Sequence, residues 1–445
     1  MRRRFVLFPL AAVVGLTLVI LSSASSTDAA APAGVVPGQY IVVVNEGFDP
    51  VGVADDHVAV PLHLYRAAAR GFAARLSQAQ VDRLSNDPRV NSVVEDHTVS
   101  ITCHKPNHPC SGGGDSGSSS QVLPAGVKRV GADGVWTNTT GNGVGVAVID
   151  TGIDFNHGDL SVAADCFTAY MSCQDDNGHG THVGGTIAAL NNSQDVVGVA
   201  PGATLYAVKV LNQSGSGTWS SVIAGVDWVT ARAGIIKVAN MSLGGAGADS
   251  ANCGDPDNDG IIDDPLHSAI CNSVAAGVTF VVAAGNDPNK EISQQVPAAY
   301  PEIIAVASST ALEGSSACRS FGGKVPADAA SYFTTDGVGV SVSAPGEDKE
   351  DISKSCFLKS VGILSLKLGG GTTRMSGTSM ASPHVAGVVA LILEDHPGLS
   401  PTDVRIRIES SASRRGTAPL NSPSSAYTYD GEREGVVWAG SATQP

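Results

Sequence analysis

From about residue 144 onward, apolar runs and helical segments alternate along the chain. This alternation limits the folds that the chain can adopt. Short apolar runs rich in valine, isoleucine and alanine take turns with segments of helical character. Such runs are typical of parallel strands that are covered on both faces. The apolar runs are residues 144–149, 203–211, 235–241, 278–284 and 303–307, and the helical segments are residues 180–190, 219–233 and 383–393. The pattern predicts an α/β fold in which a doubly wound parallel sheet carries helices on both faces.

The N-terminus predicts export. Residues 2–4 are arginines, an apolar run covers residues 5–21, and small residues follow. A basic start, an apolar core and small residues around a cleavage point describe a secretory signal peptide, which we place at residues 1–31. A retained membrane anchor is the alternative, because the apolar run is slightly long for a signal core. Once the signal is removed, we expect a secreted, extracellular protein that has no membrane partner.

The cysteine content agrees with export. Eight cysteines in a secreted chain predict disulfides. Pairing of sequence neighbours is the simplest expectation, although the sequence alone cannot prove it. The neighbours are Cys103/Cys110, Cys166/Cys173, Cys253/Cys271 and Cys318/Cys356. A cysteine-ligated metal would need Cys-x-x-Cys spacing, which is not evident.

A small α+β unit precedes the alternating region. Strand-like runs at residues 38–44, 71–76 and 90–94 accompany a short helix that begins after Ser77. A stretch rich in glycine and serine follows, and it is typical of a flexible linker because it cannot bury apolar area. We divide the chain into a signal peptide (1–31), the α+β unit (32–102), a linker (103–120) and a large α/β domain (121–445).

Three local motifs carry the chemistry. Asp150 ends a buried strand in Val-Ile-Asp-Thr-Gly, His179 opens a helix in Asn-Gly-His-Gly-Thr-His, and Ser379 leads into a helix in Gly-Thr-Ser-Met-Ala-Ser-Pro-His. Taken singly, such an aspartate is usually structural and such a serine is usually an N-cap. In this order the motifs resemble the subtilase family, over nearly everything from residue 121 to about 396. The resemblance implies a serine endopeptidase that hydrolyses protein or peptide substrates.

The resemblance also implies a role for each residue. Ser379 would attack the peptide carbonyl, His179 would take its proton, and Asp150 would fix the imidazole tautomer. Asn286, in Val-Ala-Ala-Gly-Asn, matches the family's side-chain donor to the oxyanion. His182 and His384 are expected to be structural.

Substrate contacts follow from the same register. Ser242, Leu243 and Gly244 resemble one strand that pairs with the substrate backbone, and Gly215 lies in the segment that resembles the opposite strand. Pairing on both sides favours extended peptides and broad sequence specificity.

A structural Ca²⁺ site is implied as well. Family members bind Ca²⁺ between an N-terminal glutamine, an aspartate and a loop after the catalytic histidine. The matching residues are Gln121, Asp159, Leu190, Asn192, Gln194 and Val196. A plain surface turn is the alternative. A separate acidic loop, Asp255–Asp263, has Asp-x-Asp-x-Asp-Gly spacing, but Leu266 occupies the position where such loops need a bidentate acid. It is either a weak Ca²⁺ loop or a solvated turn.

The α+β unit resembles an inhibitor-type propeptide, which implies a self-processing zymogen whose own propeptide inhibits it. The register of that resemblance predicts a cut at Thr102–Cys103, with a rival junction near Ser120. The net charge of −15 argues against a nucleic-acid partner, and we expect a monomer. A nucleotide-binding protein is the weaker alternative, because the glycines at 141–145 precede a strand instead of following one. A catalytically inactive binding protein on the same scaffold is the third.

Overall fold

The computed structural model describes residues 34–102, 114–115, 120–320, 322–413 and 434–443. The predicted signal peptide and the Cys103/Cys110 pair lie outside these residues. Within them, no helix combines the length and the apolar character that crossing a membrane requires.

The N-terminal unit is an α+β sandwich, as predicted. Its elements are β1 (Val35–Val44), α1 (Pro50–Asp56), β2 (Pro61–Tyr65), β3 (Gly71–Arg75), α2 (Gln78–Ser85) and β4 (Val90–Ile101). The strands form an antiparallel sheet in the order β4-β1-β3-β2. Strand β4 is longer than the predicted run at 90–94, because its second half finds new partners on the large domain.

The large domain holds the remaining elements. Its strands are β5 (Gly114–Asp115), β6 (Gly145–Asp150), β7 (Phe167–Thr168), β8 (Thr204–Lys209), β9 (Ser216–Thr218), β10 (Ile236–Met241), β11 (Leu243–Ala246), β12 (Thr279–Ala283), β13 (Gln295–Val296), β14 (Ile304–Thr310), β15 (Val342–Ile352), β16 (Leu358–Leu366) and β17 (Thr372–Met375). Its helices are α3 (Ala125–Arg129), α4 (His179–Ala188), α5 (Trp219–Thr230), α6 (Pro265–Ala275), α7 (Thr378–Asp395), α8 (Pro401–Ser411) and α9 (Ala439–Ala442).

The central sheet confirms the predicted parallel layer and extends it. Strands β15, β14, β12, β10, β6, β8 and β7 follow one another in parallel. Strands β16, β17 and β5 add an antiparallel edge that the sequence did not predict. Strand β15 was not among the predicted runs either, because Glu347, Asp348 and Glu350 interrupt the apolar character by which buried strands are recognised.

Two cores form, one on each face of the sheet. Along β6, Val146 and Val148 pack into the core that includes α4 and α7, while Ala147 and Ile149 pack into the core that includes α5 and α6. This is the alternation of successive strand side chains between opposite faces. The doubly wound arrangement therefore follows from apolar residues at every position of the central strands.

Helix α7 starts earlier than the predicted segment at 383–393. Pro383 lies inside the helix and supplies no backbone N–H. The carbonyl oxygen that this N–H would have served, that of Ser379, accepts a hydrogen bond from Ser242 Oγ at 3.0 Å instead. The helix can therefore begin at Thr378 and include the serine of the third motif.

Three of the four predicted disulfides lie within the described residues, and all three are confirmed. They join Cys166 to Cys173, Cys253 to Cys271 and Cys318 to Cys356.

Candidate active site

The first two motifs meet at the carboxyl end of the parallel sheet. Asp150 is the last residue of β6, His179 is the first residue of α4, and both side chains are fully buried. Nδ1 of His179 lies 2.8 and 2.9 Å from the two carboxylate oxygens of Asp150. Because a carboxylate can only accept, Nδ1 carries the proton and Nε2 is left as the basic nitrogen.

Asp175 positions this histidine, and sequence reasoning missed it. The buried Asp175 carboxylate accepts hydrogen bonds from Gly178 N and Thr181 N, both at 3.0 Å, and from Thr151 Oγ1 at 2.9 Å. It thus satisfies free N–H groups at the start of α4 and ties them to the residue after Asp150. An aspartate four residues before the histidine was the available signal.

The start of α4 and the turn that follows Asp150 also approach each other closely. A Cβ atom on Gly180 would lie 2.0 Å from the carbonyl oxygen of Gly152. Only glycine allows helix α4 to start this near to the turn that follows Asp150.

The third motif lies at the start of α7. Asn286 Oδ1 accepts a hydrogen bond from Thr378 N at 2.8 Å, and Thr378 Oγ1 accepts one from Gly285 N at 3.1 Å. The loop after β12 and the first turn of α7 therefore hold each other. Ser379 is fully buried beside them.

The end of β4 lies directly on this serine. Ser379 Oγ donates to the carbonyl oxygen of Thr102 at 2.7 Å, and Asn286 Nδ2 donates to the same oxygen. Among the described residues, Nε2 of His179 has no hydrogen-bond partner. One carbonyl group is therefore held between a serine hydroxyl and a side-chain amide donor.

Two strands of the large domain, β11 and β9, flank the extended tail that ends at Thr102. On one side Leu243 and Gly244 of β11 pair antiparallel with Ile101 and Ser100. The carbonyl oxygen of Ser242 accepts from Thr102 N at 3.3 Å. On the other side β9 pairs with residues 98–100, and Gly215 O accepts from Ile101 N at 2.9 Å. All four predicted substrate-contact residues thus lie against an extended peptide.

His182 and His384 are buried apart from this hydrogen-bond chain. Each bonds to a backbone carbonyl, of Ile363 at 3.0 Å and of Met380 at 2.8 Å. Burial lowers the pKa of His182 to about 3 and that of His384 to about 4. Both rings are neutral near pH 7, which agrees with the structural role expected for them.

The six residues predicted for Ca²⁺ come together. The carbonyl oxygens of Leu190, Gln194 and Val196 converge on the side-chain amide of Gln121, at 2.6, 3.2 and 3.0 Å from its Nε2. Asn192 Oδ1 accepts from Gln194 N at 2.9 Å. Within the described part of the chain, Oδ1 of Asp159 is buried and accepts no hydrogen bond. Burial raises the pKa of Asp159 to about 6.

The acidic loop Asp255–Asp263 is closed by its first aspartate. The Asp255 carboxylate accepts from Asp259 N at 3.0 Å and from Gly260 N at 2.9 Å. At its base, Cys253, Cys271, His267 and Glu302 bring their side-chain atoms within 4.8 Å of one another. The two sulfurs are joined as a disulfide, and His267 Nε2 lies 2.9 Å from Glu302 Oε2. This cluster therefore fastens the loop, as the cysteines predicted.

Comparison with known proteins identifies the family. Residues 141–429 match the subtilase family, and residues 51–102 match the peptidase inhibitor I9 family. The chain is 36% identical over 352 residues to Subtilisin E of Bacillus subtilis (strain 168), which covers 78% of this chain and 76% of that protein. It is 32% identical over 429 residues to M-protease of Shouchella clausii (strain KSM-K16), covering 93% of this chain and 96% of that protein. The chain therefore belongs to the subtilase family, as a serine endopeptidase that carries an inhibitor I9 domain ahead of its catalytic domain.

Proposed function

We propose that this protein is a secreted endopeptidase that cleaves peptide bonds with Ser379, His179 and Asp150, and that it is made as a precursor which cuts itself after Thr102. One observation carries the proposal. The Thr102 carbonyl oxygen lies 2.7 Å from Ser379 Oγ and also accepts from Asn286 Nδ2. A carbonyl held between a serine hydroxyl and an amide donor supports the inference that this is the carbonyl group that Ser379 attacks.

Nucleophilic attack needs a base, and we assign this role to His179. Its Nδ1–H is held by Asp150, so that Nε2 is free to take the proton of Ser379 and later to give it to the leaving amine. Asp150 stabilises the imidazolium that forms between these two transfers. In the present arrangement the single hydrogen of Ser379 Oγ is directed to the carbonyl oxygen of Thr102 at 2.7 Å, with that of Ser242 also within reach at 3.1 Å. Attack therefore requires the hydroxyl to turn towards Nε2, and catalytic hydrogen bonds of this kind tighten in the reactive complex.

Negative charge develops on the carbonyl oxygen during attack. Asn286 Nδ2 already points at that oxygen, and the Asn286 Oδ1 bond to Thr378 N fixes the amide so that its donor faces the cleft. We expect the backbone N–H of Ser379 to be the second donor. Such donors are effective because they are oriented before the charge appears.

Substrates are expected to be extended segments of proteins or peptides. The two strands that flank the Thr102 tail bind it through its backbone, and backbone pairing does not distinguish side chains. The enzyme should therefore have broad sequence specificity, and we propose that it acts as a monomer.

Precursor processing at Thr102 has independent support. The inhibitor I9 match ends at residue 102, which is also the residue whose carbonyl meets Ser379. The tail that precedes it fills the substrate cleft, so that the uncut or newly cut precursor is blocked. A cut near Ser120 is the rival.

Sequencing the N-terminus of the secreted enzyme tests this junction. We expect a mature chain that starts at Cys103, purified with inhibitors present to prevent later trimming. A mature chain that starts at or after Ser120 would contradict the junction, and it would also carry six cysteines instead of eight, which thiol counting after reduction distinguishes.

Export rests on the N-terminal sequence and on the disulfides. The arginines at 2–4 and the apolar run at 5–21 suit a signal peptide, and the three disulfides of the described residues suit an oxidising compartment. We propose secretion to the extracellular space.

A structural Ca²⁺ ion fits the cluster around Gln121. Three carbonyl oxygens and the buried, unpartnered Asp159 Oδ1 are hard oxygen donors, and turning the Gln121 amide over would present Oε1 as another. The ion would neutralise the Asp159 carboxylate, whose burial alone is unfavourable for the charged form. We propose that Gln121, Asp159, Leu190, Asn192, Gln194 and Val196 hold it and that it stabilises the fold.

Removal of Ca²⁺ should lower the melting temperature. At free Ca²⁺ one hundred times the Kd, binding stabilises the folded state by about 2.7 kcal/mol, which corresponds to a melting-temperature shift of roughly 5 °C in a domain of this size. Scanning calorimetry with and without a chelator measures the shift, in a Ser379→Ala background to exclude self-digestion. Asp159→Asn should lose the Ca²⁺ dependence, which separates this cluster from the acidic loop. An unchanged melting temperature in chelator would count against the site.

A further inference from the structure

The acidic loop, Asp255–Asp263, contacts the propeptide unit far from the substrate cleft. Asn91 Nδ2 donates to the carbonyl oxygen of Gly260 at 2.7 Å, and Asn91 Oδ1 accepts from Ile262 N at 2.7 Å. Ser92 Oγ donates to the carbonyl oxygen of Ile262 at 2.6 Å. Two adjacent side chains at the start of β4 therefore make three hydrogen bonds to one stretch of loop backbone, which we call the clasp.

Each partner of the clasp is also held by contacts within its own domain. The pairing register between β4 and β1 shifts at Asn91, so that a bulge turns this side chain out of the propeptide sheet. Asn45 Oδ1 accepts from Asn91 Nδ2 at 3.1 Å and holds the amide in place.

The loop is anchored at its base. The Cys253–Cys271 disulfide ties the segment before the loop to α6. Gly254 O accepts from Asp263 N at 2.8 Å, which closes the loop. Asp264 accepts from Leu266 N at 3.1 Å and from Tyr300 OH at 2.8 Å. Contacts between two preordered surfaces lose little conformational entropy on binding.

The clasp lies apart from the contacts that the substrate cleft makes with the tail ending at Thr102. Nine residues of β4 lie between Ser92 and Thr102, which corresponds to a distance on the order of 30 Å along an extended chain. Between the two lies a cavity of about 240 Å³, lined by Val94 and His97 of the propeptide and by Ala248 and Asp263 of the large domain. The hydrogen bonds of the clasp therefore do not depend on the state of the peptide bond at Ser379.

We propose that the acidic loop is a docking surface for this chain's own propeptide in addition to the substrate cleft and to α5, where Asp227 accepts from Ala67 N and Ala68 N. We propose that the loop contributes to how long the cut propeptide remains bound as an inhibitor. The inference rests on the proposed cut after Thr102. A cut after Thr102 would release the propeptide at that peptide bond alone. The clasp, and the propeptide sheet that carries it, would be unchanged by the reaction. The loop binds Asn91 and Ser92, which lie at a strand bulge. They present one side-chain amide and one hydroxyl to the loop backbone.

Full-length variants test the proposal. After processing, Asn91→Ala should shorten the lag before activity appears on a chromogenic peptide about tenfold, because it removes two of the three hydrogen bonds of the clasp. Asn91→Asp should shorten it further, since a carboxylate cannot donate to Gly260 O and would lie beside the acidic loop. Gln78→Ala is the matched control, because Gln78 is exposed on α2 and bonds only to Asp82 of its own helix among the described residues. Native mass spectrometry of the cut complex reports the bound fraction directly.

A second measurement keeps the proposal separable from self-processing. In the uncut Ser379→Ala chain, hydrogen exchange at Ile262 N should be slow and should accelerate when Asn91 is replaced by alanine. If Asn91→Ala does not fold, Ser92→Ala removes one bond of the clasp and should shorten the lag by a smaller factor. A lag within twofold of the parent chain in both variants, with unchanged exchange at Ile262, would overturn the proposal. A parent chain that is never cut would instead refute the processing step, and exchange would still report on the clasp.

Discussion

Replacing Ser379 by alanine is expected to abolish hydrolysis of a peptide substrate, with a loss in kcat of roughly a million-fold, the size that removal of this nucleophile has in a subtilisin. The same substitution should leave the chain uncut, since the proposed cut after Thr102 uses the same hydroxyl. The physical reason is that Ser379 Oγ, the proposed nucleophile, lies 2.7 Å from the carbonyl oxygen of Thr102. Activity assays and the size of the purified chain measure the two effects.

The control for this experiment is Ser410→Ala. Ser410 is exposed on α8 and its hydroxyl bonds to Arg407 O of the same helix, so its loss should change neither activity nor processing. Expression should take place in a host that lacks other extracellular proteases. A Ser379→Ala chain of mature size would show that another protease, and not this enzyme, makes the cut.

Loss of the oxyanion donor should have the second-largest effect. Asn286→Ala is expected to lower kcat by about 10²–10³ with little change in KM, because the amide stabilises charge that exists only in the transition state. Processing should be slowed by a similar factor and should remain detectable. Kinetics on a soluble peptide separate kcat from KM.

Asn286 also has a structural bond, which the test must separate. Its Oδ1 accepts from Thr378 N, so alanine removes that contact together with the donor. Asn286→Asp keeps an acceptor for Thr378 N but offers no N–H to the Thr102 carbonyl. Asn289→Ala, exposed on the same loop and bonded to Asp287, is the matched control. A kcat within tenfold of the parent enzyme for both Asn286 variants, with unchanged melting temperature, would contradict the assignment.

Local pattern was enough to predict the layered fold, and it also supplied the residues to which we assign the chemistry. Buried parallel strands are apolar at every position, and a strand such as β6 shows this within six residues. Asp150, His179 and Ser379 each lie in a short motif. In each motif, small residues that permit close packing stand beside a side chain that can take part in chemistry. The three disulfides that could be compared also followed sequence order, because each closes a short loop.

Only the tertiary structure showed what brings these stretches together. Asp175 holds the start of α4 through hydrogen bonds to Thr151 and Thr181, and its position four residues before the histidine does not reveal which groups it binds. Ser242, between β10 and β11, donates to the Ser379 carbonyl oxygen, which Pro383 leaves without its helical partner.

Strand β4 shows the same limit of prediction from local sequence, here for a whole strand. Its first half was recognisable from apolar residues, but Thr98–Ile101 extends as a strand because β9 and β11 supply the hydrogen bonds on both sides. The clasp joins the Asn91 side chain to the backbone of Ile262, 171 positions away, and every residue possesses such a backbone group. The sequence by itself determined which residues are apolar, nucleophilic or acidic, since those properties belong to single side chains. The tertiary structure decided which of them meet, because contact depends on packing directions that no local window of the sequence contains.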